Sequence, residues 1–259
     1  MSQSAADWLS CNSHVVKLAH IQDMMMTLNA TEKATQVSRM FARIVPTYDL
    51  INRLMSAGQD QSWRRLAVAY AAPSAHGIAL DIATGTADLA MALAEKTQRV
   101  IGVDLCAPMF APAKEKIRQA GVNGRITLCQ ADALSLPFAD ESFDCATVAF
   151  GVRNMADLVA AFREMRRVTR PGGRVVSLEI MRPGSGLVGK GYEFYLTKVI
   201  PLLGGLVSKD PEAYRYLSAS VMGFRSPEEL RDIMLVAGFS SVTYRTLSFA
   251  TIALHVGVR

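Results

Sequence analysis

The hydrophobic positions change period twice along the chain. From Thr31 the apolar residues Val37, Met40, Phe41, Ile44 and Val45 recur at helical spacing until Pro46 stops the run. The same period predicts a second helix over residues 48–55 and a third over 61–70. Then short continuous apolar runs take over. Residues 78–83, 99–104, 126–130, 143–150 and 174–179 read as buried strands, with amphipathic helices at 88–95, 108–120 and 157–168. Pro171-Gly172-Gly173 predicts a turn into the fifth strand. A strand–helix alternation of this kind requires a parallel sheet covered on both faces, and right-handed crossovers make it doubly wound.

The second change falls at residues 183–224. This aromatic and apolar stretch, with Tyr192, Phe194, Tyr195, Tyr214 and Tyr216, predicts helices inserted before the last strands. Ser226-Pro-Glu-Glu229 then has the form of an N-cap, a first-turn proline and a capping-box acid; the helix runs to Ala237 and Gly238 ends it. Strands at 241–247 and 250–258 form a hairpin that adds an antiparallel strand. The expected fold is α/β: a doubly wound, mostly parallel seven-stranded sheet with N-terminal helices and a helical insertion. Residues 31–259 read as one domain, with helical cap elements at 31–70 and 184–225. Residues 1–30 read as a separate N-terminal extension. Met24, Met25 and Met26 are alternative translation starts, and a short exposed helix is an equal account of this segment.

Composition narrows the picture. With 50% hydrophobic residues in 259, the chain is neither disordered nor low-complexity. The four cysteines form no CxxC pair and the four histidines no ligand cluster, which predicts reduced thiols and no metal. The most apolar stretch, 199–207, falls short of the roughly 20 residues of a membrane span and is broken by Pro201, Gly204 and Gly205. Asp7, Lys17 and Asp23 interrupt any secretory apolar region, so a cytoplasmic protein is expected. The net charge of +5 would suit an anionic partner. Arg163, Arg166, Arg167, Arg170 and Arg174, however, fall on and just beyond one predicted helix, which suggests a solvated or at most membrane-facing patch rather than a nucleic-acid groove.

The sharpest chemical feature is Asp81-Ile-Ala-Thr-Gly85-Thr86-Ala87-Asp88, between a strand and a helix. It is neither the dinucleotide fingerprint nor a phosphate-binding loop with its lysine. What remains is a strand-end acid and a small-residue loop that lets backbone N–H groups approach a ligand. Asp104 ends the next strand, where a carboxylate can accept both hydroxyls of a ribose, and Asp132 follows the third, where a polar side chain can address an adenine amino group. Taken in order, Asp81, Gly85, Thr86, Asp104 and Asp132 point to a nucleoside without a phosphate chain, and S-adenosyl-L-methionine fits them. Each strand-end acid taken singly could equally be a helix cap.

Tyr48-Asp-Leu-Ile-Asn52, Asp81–Thr86, Phe150-Gly-Val-Arg-Asn154, Pro171-Gly-Gly173, Tyr214-Arg-Tyr-Leu217 and Ala253-Leu-His255 together carry a resemblance. From about Thr31 to Arg259 the chain resembles the ubiquinone/menaquinone biosynthesis C-methyltransferases. The resemblance implies a Rossmann-like fold and S-adenosylmethionine-dependent methylation of a ring carbon on a prenylated quinol, of demethylmenaquinol or demethoxyubiquinol type. It implies cofactor positions at Thr86, Asp104, Asp132 and Ala133. The chain departs from the family at several places. Ala87 stands where glycine is usual, Asp60 where histidine is frequent, and Ala149 where some members have serine. Ala219 and Met222 replace an acid and an arginine.

Methylating a ring carbon calls for the phenolate, and a phenol pKa near 10 leaves little of it at neutral pH. Arg153 is the first candidate to stabilise that charge; pairing with Asp157 or a backbone carbonyl is the competing account. Asn154, Asp49 and Tyr48 are further catalytic candidates, against helix capping and packing. Asp60 could replace the histidine as a base, though a surface aspartate is the plainer expectation. Tyr192, Tyr195, Leu202, Leu203 and Leu206 could receive a prenyl tail, rest on a membrane surface or form cap core. The expected partners are a prenylated quinol and peripheral membrane, with no nucleic acid; a homo-oligomer is compatible with the sequence. Three alternatives stand beside this. One is a methyltransferase for another phenolic or apolar molecule, and another a non-catalytic cofactor binder. Nucleic-acid methylation ranks lowest, because Ala149–Asn154 lacks the Asn/Asp-Pro-Pro-aromatic stretch of base amino methyltransferases.

Overall fold

A computed structural model describes residues 30–259 apart from Ser185 and Lys209. Residues 1–29 of the extension read over residues 1–30, with its three methionines, lie outside them, as does the side chain of Leu206.

The sheet has seven strands: β1 (Ile78–Ile82), β2 (Arg99–Asp104), β3 (Ile126–Gln130), β4 (Phe143–Ala149), β5 (Thr169–Ile180), β6 (Ser241–Leu247) and β7 (Ile252–Val258). Their spatial order is β3-β2-β1-β4-β5-β7-β6, with β7 antiparallel to both neighbours and the others parallel. The order reverses between β1 and β4, so ligands are expected in the crevice at the carboxyl ends of these strands.

Strand alternation divides the core. Leu80, Ile82, Ala146, Val148 and Val175 face α6 (Leu158–Val168) and α10 (Pro227–Val236), through Phe162, Met165, Leu230 and Met234. Ala79, Cys145, Val176 and Leu178 face the other side, where Val68, Leu93 and Ile117 come from α3 (Asp60–Ala71), α4 (Asp88–Ala94) and α5 (Phe110–Gln119). Burying a side chain of this size contributes on the order of 1.5–3 kcal/mol.

A third apolar cluster lies outside the sheet. Val37, Met40 and Ile44 of α1 (Ala30–Ile44) and Ile51 of α2 (Tyr48–Met55) pack with Leu196, Ile200, Tyr214 and Val221 from the insertion. The insertion comprises α7 (Leu187–Phe194), a π-helical turn (Tyr195–Val199), α8 (Ile200–Ser208) and α9 (Pro211–Met222). Two ends of the chain's pattern thus meet as one cap over the switch point.

Local chemistry explains the ends of these elements. Ser226 accepts from the Glu229 N–H while the Glu229 carboxylate accepts from the Ser226 N–H, the expected capping box. Asp157 and Asp210 cap α6 and α9 by accepting the Ala160 and Ala213 N–H groups, without a reciprocal bond. The structure corrects the Pro171–Gly173 turn, because β5 starts at Thr169 and the three residues form a bulge within it. The register steps from Phe143 opposite Thr169 to Cys145 opposite Arg174. A Cβ on Gly173 would fall 2.6 Å from the Asp144 carbonyl oxygen, which is why glycine stands there. Arg163, Arg170 and Arg174 are exposed, as a solvated face requires, and several of these arginines are also paired. Arg167 pairs with Glu164 and Asp140, Arg170 with Asp144, and the Arg174 guanidinium bonds the Tyr70 carbonyl.

Candidate active site

The loop after β1 carries the site. Ala83, Gly85 and Ala87 all adopt left-handed backbone, with φ of 53°, 54° and 69°. For the two alanines this costs on the order of 1 kcal/mol each relative to glycine. The strain is held by the loop's own carboxylates. Asp104 accepts the Gly85 N–H at 2.8 Å through Oδ2 and the Cys106 N–H at 2.8 Å through Oδ1. Asp81 is buried and accepts the hydroxyls of Thr84 at 2.7 Å and Thr147 at 2.9 Å. Burial pushes the Asp81 carboxyl up to about 6, against the pull of those hydroxyls and of the Arg64 charge.

Beside Asp104 lies a cleft enclosing about 840 Å³ of empty space. Small residues wall it, including Ala83, Gly85, Ala131, Ala133 and Gly151. A Cβ on Gly151 would stand 2.5 Å from the Ala83 Cβ, so the two walls approach as closely as they can. Asp132 is also in the lining, and its Oδ1 accepts the Leu134 N–H at 2.9 Å. The structure therefore brings Gly85, Asp104, Asp132 and Ala133 to one cavity. Asp81 and Thr86 line a smaller adjoining notch of about 310 Å³, with Gly85, Asp88 and Arg64.

A third cavity of about 990 Å³ opens between cap and sheet. Its walls are largely apolar, with Met40, Phe41, Tyr192, Tyr195, Ile200 and Ile252 among them. Arg153 projects a guanidinium only 6% exposed into this setting. Its Nη1 donates to the Phe150 carbonyl at 2.6 Å and to Glu179 Oε1 at 2.7 Å, while its Nε has no hydrogen-bond partner. The arginine thus bonds a backbone carbonyl, one of the two alternatives weighed for it. Its acidic partner is Glu179, fully buried on β5, and not Asp157. Burial raises the Tyr192 and Tyr216 phenols, Tyr216 to about 12, while the Arg153 charge opposes it. At neutral pH these hydroxyls stay protonated.

The other predicted residues are distributed unevenly. Tyr48 lines all three cavities and is their common wall. Burial raises its phenol too, opposed by Arg64 and Arg153. Asn154 lines the Asp104 cavity, and its Oδ1 accepts the Tyr216 hydroxyl at 2.9 Å. Asp49 lines none of the three. It accepts the Thr86 hydroxyl at 2.6 Å and the Lys116 ammonium at 3.0 Å, tying α2 to the β1 loop. Asp60 is not a surface residue. It is 3% exposed at the start of α3, lines the apolar cavity and accepts from the Ser56 hydroxyl at 3.1 Å. Leu202 is exposed, so it does not belong to the cap core.

Sequence reasoning missed Arg64, Glu179 and Lys116. Arg64 and Glu179 carry no local motif, and their partners lie far along the chain. Among the described residues no His/Cys/Asp/Glu group could hold a metal ion, and no helix is long and apolar enough to cross a membrane.

Comparison with known proteins places this geometry. The model of the ubiE/COQ5 methyltransferase family matches residues 26–259. The chain is 48% identical to the demethylmenaquinone methyltransferase of Thermus thermophilus, over 85% of this chain and all of that one. It is 39% identical to the ubiquinone/menaquinone biosynthesis C-methyltransferase UbiE of Pseudomonas aeruginosa, over 88% of this chain and 91% of that one. Among solved structures, a SAM-dependent methyltransferase from Thermotoga maritima, described as a possible histamine N-methyltransferase, superposes with a TM-score of 0.62. That match has 21% identity and covers 86% of this chain and 99% of that one, a likeness of fold alone.

Proposed function

The chain belongs to the ubiE/COQ5 methyltransferase family, and from that premise we propose that it methylates a ring carbon of a prenylated quinol, with S-adenosyl-L-methionine as donor. The observation that carries this reading is the pairing of two cavities across Tyr48. One is small-residue and acid-edged, and the other is apolar with a single buried arginine–glutamate pair.

The residues present fit the cofactor. Asp104 faces a cradle that larger side chains would fill, and the buried Arg64 Nε beside the loop has no hydrogen-bond partner. In this reading Asp104 holds the ribose, Asp132 and Ala133 meet the adenine, and Gly85 and Thr86 meet the amino-acid end. When bound, S-adenosylmethionine supplies an electrophilic methyl group.

The chain's own task is to align the ring and favour its phenolate. Arg153 does the second, because Nε is a free donor in a site shielded from water. Glu179 and the Phe150 carbonyl fix its orientation, so no reorganisation is needed as negative charge develops. Arginine is never a proton acceptor at these pH values. Asp60 is the one carboxylate in the lining of the apolar cavity among the described residues, and it receives the phenolic proton. Tyr48 orients the ring oxygen as a protonated donor, while Tyr216 donates its hydroxyl proton to Asn154 and fixes that amide.

The tail of a prenylated substrate comes from a lipid phase, and the surface around the cap suits a peripheral contact with one. Leu50, Leu54, Phe194, Leu202 and Phe249 are 52–89% exposed, on elements that wall or adjoin the apolar cavity. Co-sedimentation with lipid vesicles tests this, since serines at Leu54 and Phe249 should weaken it while activity on a short-tailed quinol is retained.

The experiment for the main reading is methyl transfer from labelled S-adenosylmethionine to a panel of prenylated quinols and simple phenols. Label confined to the simple phenols would transfer the activity to another acceptor class.

A further inference from the structure

Arg64 is the buried cation for which neither the reaction nor the fold accounts. It sits on α3, in the helical layer packed on one face of the sheet, and is 7% exposed. Its guanidinium stands 5.2 Å from the Phe150 ring centroid, which fixes it from one side. The acid facing it is Asp88, whose Oδ2 is 3.8 Å from Nε, too far for a hydrogen bond. Asp88 is engaged elsewhere, since Lys116 bonds its other oxygen and Gln61 donates to Oδ2 at 3.3 Å. A buried guanidinium nitrogen with no partner costs free energy unless something else supplies the acceptor.

Arg64 also lines the apolar cavity, where Arg153 is a second cation, whereas in the notch of about 310 Å³, lined with Asp81, Gly85, Thr86 and Asp88, it is the one cationic side chain in the lining among the described residues. The notch presents both signs of charge. A bare anion would meet two carboxylates there, and a bare cation would meet Arg64. A group carrying one charge of each sign satisfies both walls. The notch shares Ala83, Gly85, Ala149 and Tyr48 with the Asp104 cavity, so it continues that cavity rather than standing apart.

We infer that Arg64 binds the carboxylate of the cofactor's zwitterionic amino-acid end. The inference rests on the S-adenosylmethionine reading and adds to it a positioning residue supplied by α3. It also explains why a buried arginine of α3 lines the notch at the β1 loop.

The test is a cycle between side chain and ligand, read by calorimetric titration of the full chain. S-adenosylhomocysteine carries the amino-acid end; 5′-methylthioadenosine keeps the nucleoside thioether and lacks it. Arg64→Met should weaken S-adenosylhomocysteine about 10- to 100-fold, the size of a lost charge-assisted hydrogen bond. It should leave 5′-methylthioadenosine within about 3-fold, and Arg64→Lys should recover part of the loss. Equal weakening of both ligands would make Arg64 a purely structural residue and overturn the inference. So would unchanged S-adenosylhomocysteine affinity with a raised KM for the quinol, which would place Arg64 on the substrate. If neither ligand binds the wild-type protein, the cofactor reading itself fails and takes this inference with it.

Discussion

The cavity beside Asp104 is walled by four adjacent strands or the loops that leave them, with α1 and Tyr48 across from them, whereas the cavity around Arg153 is walled largely by helices of the N-terminal segment and the insertion. In the first, the acids are held by backbone N–H groups and hydroxyls a few residues or one strand away. In the second, the charge is held by one buried pair, Arg153 with Glu179, 26 residues apart. A site made of backbone tolerates changes of side chain around it. A site made of one ion pair in an apolar box does not, because removing either partner leaves the other charge buried and unpaired.

The largest expected effect follows from this contrast. Arg153→Met should abolish measurable turnover and also lower stability by about 3–5 kcal/mol, by orphaning Glu179. Adding Glu179→Met should return most of that stability in urea unfolding and none of the turnover. If the double variant regains activity, Arg153 serves packing and the phenolate lies elsewhere.

The cofactor side should respond to pH instead. Asp81 has a folded-state pKa of about 6, above the ordinary carboxylate value. The folded state therefore keeps its proton where the unfolded state has lost it, and stability falls as pH rises from about 4 to about 6. Asp81→Asn removes this dependence. Its stability relative to wild type should grow by roughly 3 kcal/mol between pH 3.5 and pH 7, taking 1.36 kcal/mol per unit. A constant difference would mean that Asp81 is not desolvated.

Asp60 tests which side receives the proton. Asp60→Asn should lower kcat about 100-fold with little change in cofactor affinity. Asp60→His should keep much of the rate and move the acidic limb of the pH profile toward about 6.5. The smallest effect belongs to the loop. Ala87→Gly relieves a φ of 69° and should stabilise the protein by about 1 kcal/mol in denaturant unfolding.

The same contrast explains what the sequence could disclose. Asp81, Gly85, Asp104 and Asp132 were legible because strand-end positions follow from hydrophobic period, and period is a local property. The sheet, its antiparallel last strand and the Ser226 cap were legible for the same reason. The Pro171–Gly173 bulge was read as a turn, because glycine and proline signal both and only the Asp144 carbonyl decides. The insertion could be read as helical but not divided, since its apolar residues lie on all sides and a π-helical turn interrupts the period. Arg64, Glu179 and the Asp49–Lys116 bond were illegible, because each gains its meaning from a partner brought near by the fold. Asp60 was taken for a surface residue because nothing in its flanking sequence reports the cap that buries it.

The central claim is that one chain holds a nucleoside-type methyl donor and a tailed phenol on either side of Tyr48 and joins them at carbon. The most direct measurement is to incubate the protein with methyl-¹³C S-adenosylmethionine and a reduced prenylated demethylquinol, then locate the label by NMR. The account predicts a new methyl signal on a ring carbon, absent with Arg153→Met. Label on a phenolic oxygen, or in no prenylated quinol at all, would contradict it.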